Sequence, residues 1–392
     1  MAKRFLILIM ALVVILLGGC GAQQSDSAST TPTQEPEPGI TDDTILIGAN
    51  APLSGPYAAY GTIIKDMEAY YQKVNDEGGI NGRKIKFVYY DDAYDPSKTV
   101  GVMKKLVEND NVFLVSTCGA SCSMAVADYL AEKKVPVVGT ITGNSQILTY
   151  PNVFGIQPNF STDAMTITQY ALENFGAKKV GVWYQNDDYG KEALGAIQAE
   201  LKRNGLEPAV EIPYSTTDVD FSIPVMKFKD VNPDTIILIS NTKMCAAFLK
   251  QSAELGLKTK FITNSPTADI SVSKLAGSAA EGVVFSAFFP LLDDDSNPKV
   301  KAHKDFVTKY VSDKTPNTFT LYGQLNAEFV VEALKRAGKD LTREKVITAI
   351  ESMKNWNGGL QENVSFAPDQ HGPGGESLYF IKIENGKFVR IK

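Results

Sequence analysis

From residue 44 onward, short runs of Val, Ile and Leu alternate with longer stretches in which apolar side chains recur every three or four positions. The short runs fall at 45–49, 85–90, 112–115 and 135–138, and again at 180–183, 235–239, 261–263 and 283–285. Helical periods lie between them at 63–74, 99–107, 124–131, 166–175, 193–201 and 246–255. β-branched strands that alternate with amphipathic helices predict a parallel sheet covered on both faces. In such folds ligands sit at the carboxyl ends of the strands, where turns lead into helices.

The runs form two sets of four, separated by Phe154-Gly155-Ile156-Gln157-Pro158-Asn159 and ended by Phe288-Phe289-Pro290. Further helical periods follow at 301–311, 319–337 and 344–353, and residues 378–391 alternate like a hairpin about Asn385-Gly386. Two α/β lobes joined by several crossings of the chain would enclose a cleft. The first 43 residues are different. Lys3 and Arg4 precede an unbroken apolar run at 5–17, too short for a span of roughly 20 residues and suited to a signal peptide at 1–19. Its exit, Leu17-Gly18-Gly19-Cys20, resembles the bacterial lipobox, which implies lipidation of Cys20. Residues 21–39 have almost no apolar side chain and a reach of roughly 60 Å, so 20–42 is expected to be a lipidated, disordered tether.

With 44% hydrophobic and 21% charged residues the 392-residue chain has globular composition, and its length suggests two domains. A net charge of -6 without a basic block gives no electrostatic case for nucleic acid. Two histidines and four cysteines leave little material for a metal centre or a His-based triad, and no phosphate-binding loop or nucleophile elbow occurs. The acidic runs at 91–92, 187–188 and 293–295 lack the ligand order of a calcium loop, and such residues commonly cap helices. Neither a catalytic centre nor a cofactor or metal site is expected.

Five stretches carry a resemblance: 52–61 (PLSGPYAAYG), 75–82 (NDEGGING), 90–96 (YDDAYDP), Asp188-Tyr189-Gly190 and 276–282 (AGSAAEG). In order and spacing they resemble the leucine/isoleucine/valine-type solute-binding proteins of ABC importers, from about residue 43 to the C-terminus. The resemblance implies a type I periplasmic-binding-protein fold of class α/β, with two doubly wound parallel-sheet lobes and a three-crossover hinge. It places lobe 1 at 43–159 plus 289–363 and lobe 2 at 160–288 plus 364–392. The hinge would lie near 158–159, 289–290 and 363–366.

The resemblance also assigns residues. Ala120 and Ser121, within the turn 116–123, stand where the family grips a ligand carboxylate, a task suited to a helix start with its converging N–H groups. Thr140, Thr142, Gly143 and Asn144 match the second gripping loop. Ser and Thr at helix entries are equally routine N-caps. Tyr60 and Tyr189 contact the solute from opposite lobes, and tyrosine offers a flat apolar face with a hydroxyl that stays wet. Phe319 and Tyr322 fall near a further contact.

Two departures matter. The family's amino-acid binders hold the ammonium with a glutamate; counting back from Ala276-Gly277 without a gap, that position is Ser265. A buried ammonium deprived of its carboxylate is disfavoured by about 3–5 kcal/mol, and although Asp188, Asp269 or Glu281 could substitute, none sits at the aligned place. A carboxylate or amide solute without a free α-ammonium is therefore expected, such as an aromatic or short-chain acid, with a branched-chain amino acid-like solute as the alternative. Second, Tyr94 stands where the family often has a disulfide cysteine, so that bridge is absent. Cys118 and Cys122 either pair with each other, which an oxidising compartment permits, or remain thiols. The resulting expectation is an extracytoplasmic solute-binding lipoprotein without enzymatic activity, anchored to the membrane through Cys20, with an ABC permease and ATPase as partners and no nucleic acid. The alternative is a ligand sensor that signals to a membrane receptor without transport.

Overall fold

All five side chains of the strand Thr235–Ile239 are buried, as a Thr-Ile-Ile-Leu-Ile run requires at the centre of a sheet covered on both faces. The computed structural model describes residues 37–311, 315–362, 364–373 and 378–391. The expected signal peptide, Cys20 and nearly all of the expected tether lie outside the described residues. Among those residues no helix is long and apolar enough to cross a membrane.

Two sheets organise the body. The first has five parallel strands in the spatial order Lys84–Asp91, Thr44–Ala51, Leu114–Ser116, Val137–Thr140 and Val153–Gly155. The second has seven, in the order Lys387–Arg390, Tyr379–Glu384, Val284–Ala287, Lys260–Thr263, Thr235–Ile239, Val180–Gln185 and Val210–Tyr214. Its last five are parallel, and the C-terminal hairpin adds two antiparallel strands at one edge. Each sheet carries one apolar core on either face. On the first, Ile47 and Leu325 mark one core and Val115 and Val126 the other; on the second, Trp183 and Phe248 mark one and Val182 and Ile197 the other. This is the type I periplasmic-binding-protein architecture that the resemblance implied.

The strands Val153–Gly155 and Val210–Tyr214 were not expected from the pattern. The first is only three residues long, and the second carries Pro213 in a strand that lies at a sheet edge, where the missing N–H is tolerated. The helices Ser222–Val231 and Ser271–Ala276 also lie outside the expected periods.

Two boundaries shift. Ile40 pairs with Ile45 and packs against the first core, so residues 37–42 belong to the folded body and not to a tether. The expected lobe-2 stretch 364–392 begins too early. Val364 and Phe366 lie in the first core, where Phe366 stacks on Phe329 at 5.0 Å, and Gly155 N–H donates to His371 O. An apolar pair after a polar break reads like the start of a new lobe, yet Phe366 is what fills the space between Phe154 and Phe329. Residues 364–371 therefore stand with the first sheet, and the expected third crossing does not lie at 363–366.

Candidate functional site

The carboxyl ends of the parallel strands from both sheets meet around one cavity of about 80 Å³. The first sheet contributes the turns that carry Tyr57, Tyr60, Tyr94, Gly119, Ala120 and Thr142, and the helix Thr318–Ala337 adds Phe319 and Tyr322. The second contributes Gln185, Tyr189, Ser240, Asn241, Ser265 and Asp269. Phe160, Phe288 and Phe289 close the wall where the chain passes between the sheets.

The turn 117–120 is held by buried hydrogen bonds. Asn50 Nδ2 donates to Cys118 O at 2.9 Å and to Asp92 Oδ2 at 2.6 Å, while Cys118 N–H donates to Asn50 Oδ1 at 3.0 Å. Gly119 then adopts φ 94°, and a Cβ there would lie 2.6 Å from the Tyr94 ring. Glycine is needed for both reasons. The helix Ala120–Glu132 starts behind it with no side-chain cap, so its first N–H groups and positive dipole end meet the cavity wall. Cys118, Cys122 and Cys245 are free, buried thiols. Burial, aided by the Asp92 carboxylate, pushes the Cys122 thiol up to about 12 and Cys118 well up, so neither supplies a thiolate.

Tyrosines line the wall and bridge it. Tyr57 stacks on Tyr94 with ring centroids 4.0 Å apart, and its hydroxyl donates to Gln185 Oε1 across the cleft. Tyr60 packs edge-on to Phe319 at 5.0 Å and donates across the cleft to Pro266 O at 2.8 Å. Tyr189 donates to Asn264 Oδ1 at 2.9 Å and meets Phe160 edge-on at 4.7 Å. Tyr322 donates to Gln157 Oε1. Burial pushes the Tyr60 hydroxyl up to about 12 and those of Tyr57, Tyr94, Tyr189 and Tyr322 well up. The tyrosines of the wall are therefore neutral, apolar on their ring faces and polar only at their hydroxyls, and Asp269 adds a carboxylate to the same lining.

Tyr189 owes its place to the sequence Asp187-Asp188-Tyr189-Gly190. Asp187 caps the helix Asp188–Arg203 by accepting Gly190 N–H at 3.1 Å. A Cβ at Gly190 would lie 1.8 Å from Gln185 O, so this close turn of strand into helix requires glycine.

Residues 44–387 match the model of the periplasmic binding protein family. The chain belongs to that family. It is 26% identical over 352 residues to Leu/Ile/Val-binding protein homolog 2 of Brucella abortus, covering 88% of this chain and 92% of that one. A substrate-binding periplasmic protein from Ralstonia solanacearum superposes with a TM-score of 0.82 at 26% identity, covering 88% of this chain and all of that one. A fatty acid ABC transporter substrate-binding protein from Thermomonospora curvata gives 0.81 at 26% identity, with 91% and 93% covered. The protein is thus a periplasmic binding protein for small solutes, not an enzyme.

Of the residues expected at its binding site, this periplasmic binding protein brings Tyr60, Ala120, Thr142, Tyr189, Ser265, Phe319 and Tyr322 to the cavity. Ser121, Thr140, Gly143 and Asn144 are not on its wall. Thr140 is buried with its Oγ 2.7 Å from Thr117 Oγ. Gly143 O accepts Phe160 N–H at 2.7 Å. Asn144 reaches across the cleft to donate to Glu192 Oε2 at 2.9 Å, and Ser145 N–H donates to the same carboxylate. Ser265 lines the cavity, but its hydroxyl and N–H both donate to Asp163, at 2.6 and 2.9 Å. Sequence reasoning missed Tyr57, Tyr94, Gln185 and Asn241, whereas Asp269, named there as a possible stand-in for the ammonium-binding glutamate, does line the cavity. Asn241 was detectable as the second polar residue after the apolar run 235–239, at the end of a strand that feeds a helix.

Proposed function

We propose that this periplasmic binding protein is the lipid-anchored receptor of an ABC importer, and that its lobes close on a small solute bearing a carboxylate. The observation that carries this reading is the uncapped start of helix Ala120–Glu132 at Gly119, set in a wall of neutral aromatic rings. Such a start favours an anion, and the rings favour an apolar body attached to it. The relatives add support: branched-chain amino acids and fatty acids, named for two of them, have the carboxylate in common. The lobes would rock about the passages near 155–160 and 287–290. Hydrogen bonds from Tyr57, Tyr60 and Asn144 across the cleft would favour the closed form.

Isothermal titration with a panel of aliphatic, aromatic and amino acids is expected to find a saturable 1:1 ligand among the acids. Tyr60→Phe keeps the ring but deletes the bond to Pro266 O, and should weaken that ligand by about fivefold, the equivalent of roughly 1 kcal/mol. A panel in which only neutral or cationic compounds bind would sink the reading. Deleting the gene should abolish uptake of the ligand; normal uptake in the deletion strain would favour the sensor instead. Cys20→Ala should move the protein from the membrane to the soluble fraction, and unchanged membrane association would remove the anchor.

A further inference from the structure

Nine of the 23 residues that line the cavity are aromatic, and among the described residues no lysine, arginine or histidine reaches its wall. The lining holds one carboxylate, Asp269, which is 3% exposed. Its oxygens accept Ser271 N–H at 2.8 Å and Thr318 N–H at 3.3 Å, and among the described residues no cation of the chain pairs with it. A buried charge without a counter-charge is costly. Thr318 is followed by Phe319, whose ring meets Tyr60 edge-on at 5.0 Å. Burial raises the Tyr60 hydroxyl and the Asp269 charge adds to the shift, so the carboxylate stands close to that ring as well. A negative charge is thus set at an aromatic corner, and ring faces themselves attract cations.

The cavity therefore suits two charges of opposite sign. The start of helix Ala120–Glu132 favours the solute's carboxylate, but a carboxylate alone would be shut in with Asp269 and no counter-charge. The cation that relieves this is not an ordinary ammonium. An ammonium brings three N–H donors, each of which needs an acceptor once it is buried. The acceptors nearby are in use: Pro266 O receives Tyr60, Gln157 Oε1 receives Tyr322, and Gln185 Oε1 receives Tyr57 and Tyr214. Ser265, which stands in place of the family's glutamate, has turned its hydroxyl and N–H onto Asp163. A quaternary ammonium has no N–H to satisfy. It needs a negative charge nearby and ring faces within roughly 6 Å, and a cavity of about 80 Å³ keeps both close.

We infer that the solute is a betaine, a small carboxylate that also carries a quaternary ammonium, and that Asp269 with the rings of Tyr60 and Phe319 receives the methylated cation. The inference rests on the carboxylate-solute reading above and deepens it. A serine at position 265 then carries no penalty, because no N–H remains to be held there. The charges also balance, since a zwitterion matches one helix start and one carboxylate.

The test uses probes matched in shape. Glycine betaine and 3,3-dimethylbutanoate differ only by nitrogen for carbon at the branched centre, choline has the cation without the carboxylate, and proline betaine is a second, larger betaine. In titrations of the full chain at least one betaine should bind, about tenfold or more tighter than 3,3-dimethylbutanoate. Asp269→Asn removes the charge and keeps an acceptor for Ser271 N–H. It should weaken the betaine by about tenfold or more and leave 3,3-dimethylbutanoate within about threefold. Phe319→Leu keeps apolar bulk without the ring and should shift the preference in the same direction, which keeps the test decisive if Asp269→Asn fails to fold. The inference is overturned if neither betaine binds, if 3,3-dimethylbutanoate binds as tightly, or if the variants weaken both probes equally, as an Asp269 that only caps helices would require. In each of those cases another acid from the panel can still uphold carboxylate binding. Choline that binds as tightly as glycine betaine would overturn the inference through its carboxylate half, and with it the reading on which it rests.

Discussion

Gly119→Val is expected to lower the unfolding free energy by about 2–6 kcal/mol and to weaken solute binding at least a hundredfold. Two costs combine. A φ of 94° lies in a region that side chains rarely occupy, and holding a valine there costs on the order of 1–3 kcal/mol. The added Cβ would also sit 2.6 Å from the Tyr94 ring, and overpacking of that kind adds about 1–3 kcal/mol. Tyr94 has little freedom to yield, because its other face stacks on Tyr57 at 4.0 Å. Relief therefore comes from displacing the start of helix Ala120–Glu132, which removes the N–H groups that would meet the carboxylate. Urea unfolding and titration with the ligand measure the two effects separately. A variant that is destabilised yet binds within threefold of wild type would show that the acid does not sit at this helix start.

The fold was legible because its information is local. The runs at 45–49 and 235–239 are apolar on both faces, which only a covered parallel sheet requires, and Asn385-Gly386 marks the terminal hairpin by turn chemistry. What escaped was set by long-range packing. Phe366 belongs to the first lobe because of a ring that lies 37 positions earlier at Phe329, a pairing that no local pattern contains. The site divides in the same way. Tyr60 and Tyr189 sit in short motifs whose backbone demands are local, as the Gly190 turn shows. Gln185 and Tyr57 are 128 residues apart and meet only because the lobes close. Thr140 and Asn144 were expected at the solute and instead serve the protein, one bonding a neighbouring loop and the other bridging to Glu192. A polar residue at the end of a strand has two such uses, and sequence alone does not distinguish them.

Lowering the pH from 7 to 4 is expected to cost about 3 kcal/mol of stability through His303 alone. Its ring is fully buried between the helices Pro298–Tyr310 and Thr318–Ala337, with Nδ1 2.7 Å from Gln324 Oε1 and Nε2 2.8 Å from Thr320 Oγ. Gln324 donates through Nε2 to Glu328, so its oxygen faces the ring and Nδ1 carries the proton. Burial, with a smaller push from the Lys304 charge, lowers the His303 pKa to about 4, against 6.5 for an ordinary histidine. The unfolded chain therefore takes up a proton between pH 6.5 and 4 that the folded chain refuses. The stability contributed by the neutral ring is complete above pH 6.5 and is lost as the pH falls towards 4. Asp163, whose pKa burial raises, acts in the opposite direction, so wild type must be compared with a variant rather than read alone. His303→Gln supplies a donor and an acceptor without a titrating group. The stability difference between the two proteins should shrink by about 3 kcal/mol between pH 7 and 4 in urea unfolding. A difference that stays constant across that range would mean that the ring is not held neutral. The consequence reaches the cavity, because the helix whose Thr320 and Gln324 face His303 also carries Phe319 and Tyr322. A charge forced into that packing once the pH reaches about 4 should loosen the solute wall, so affinity should fall at a lower pH than the one at which stability begins to decline.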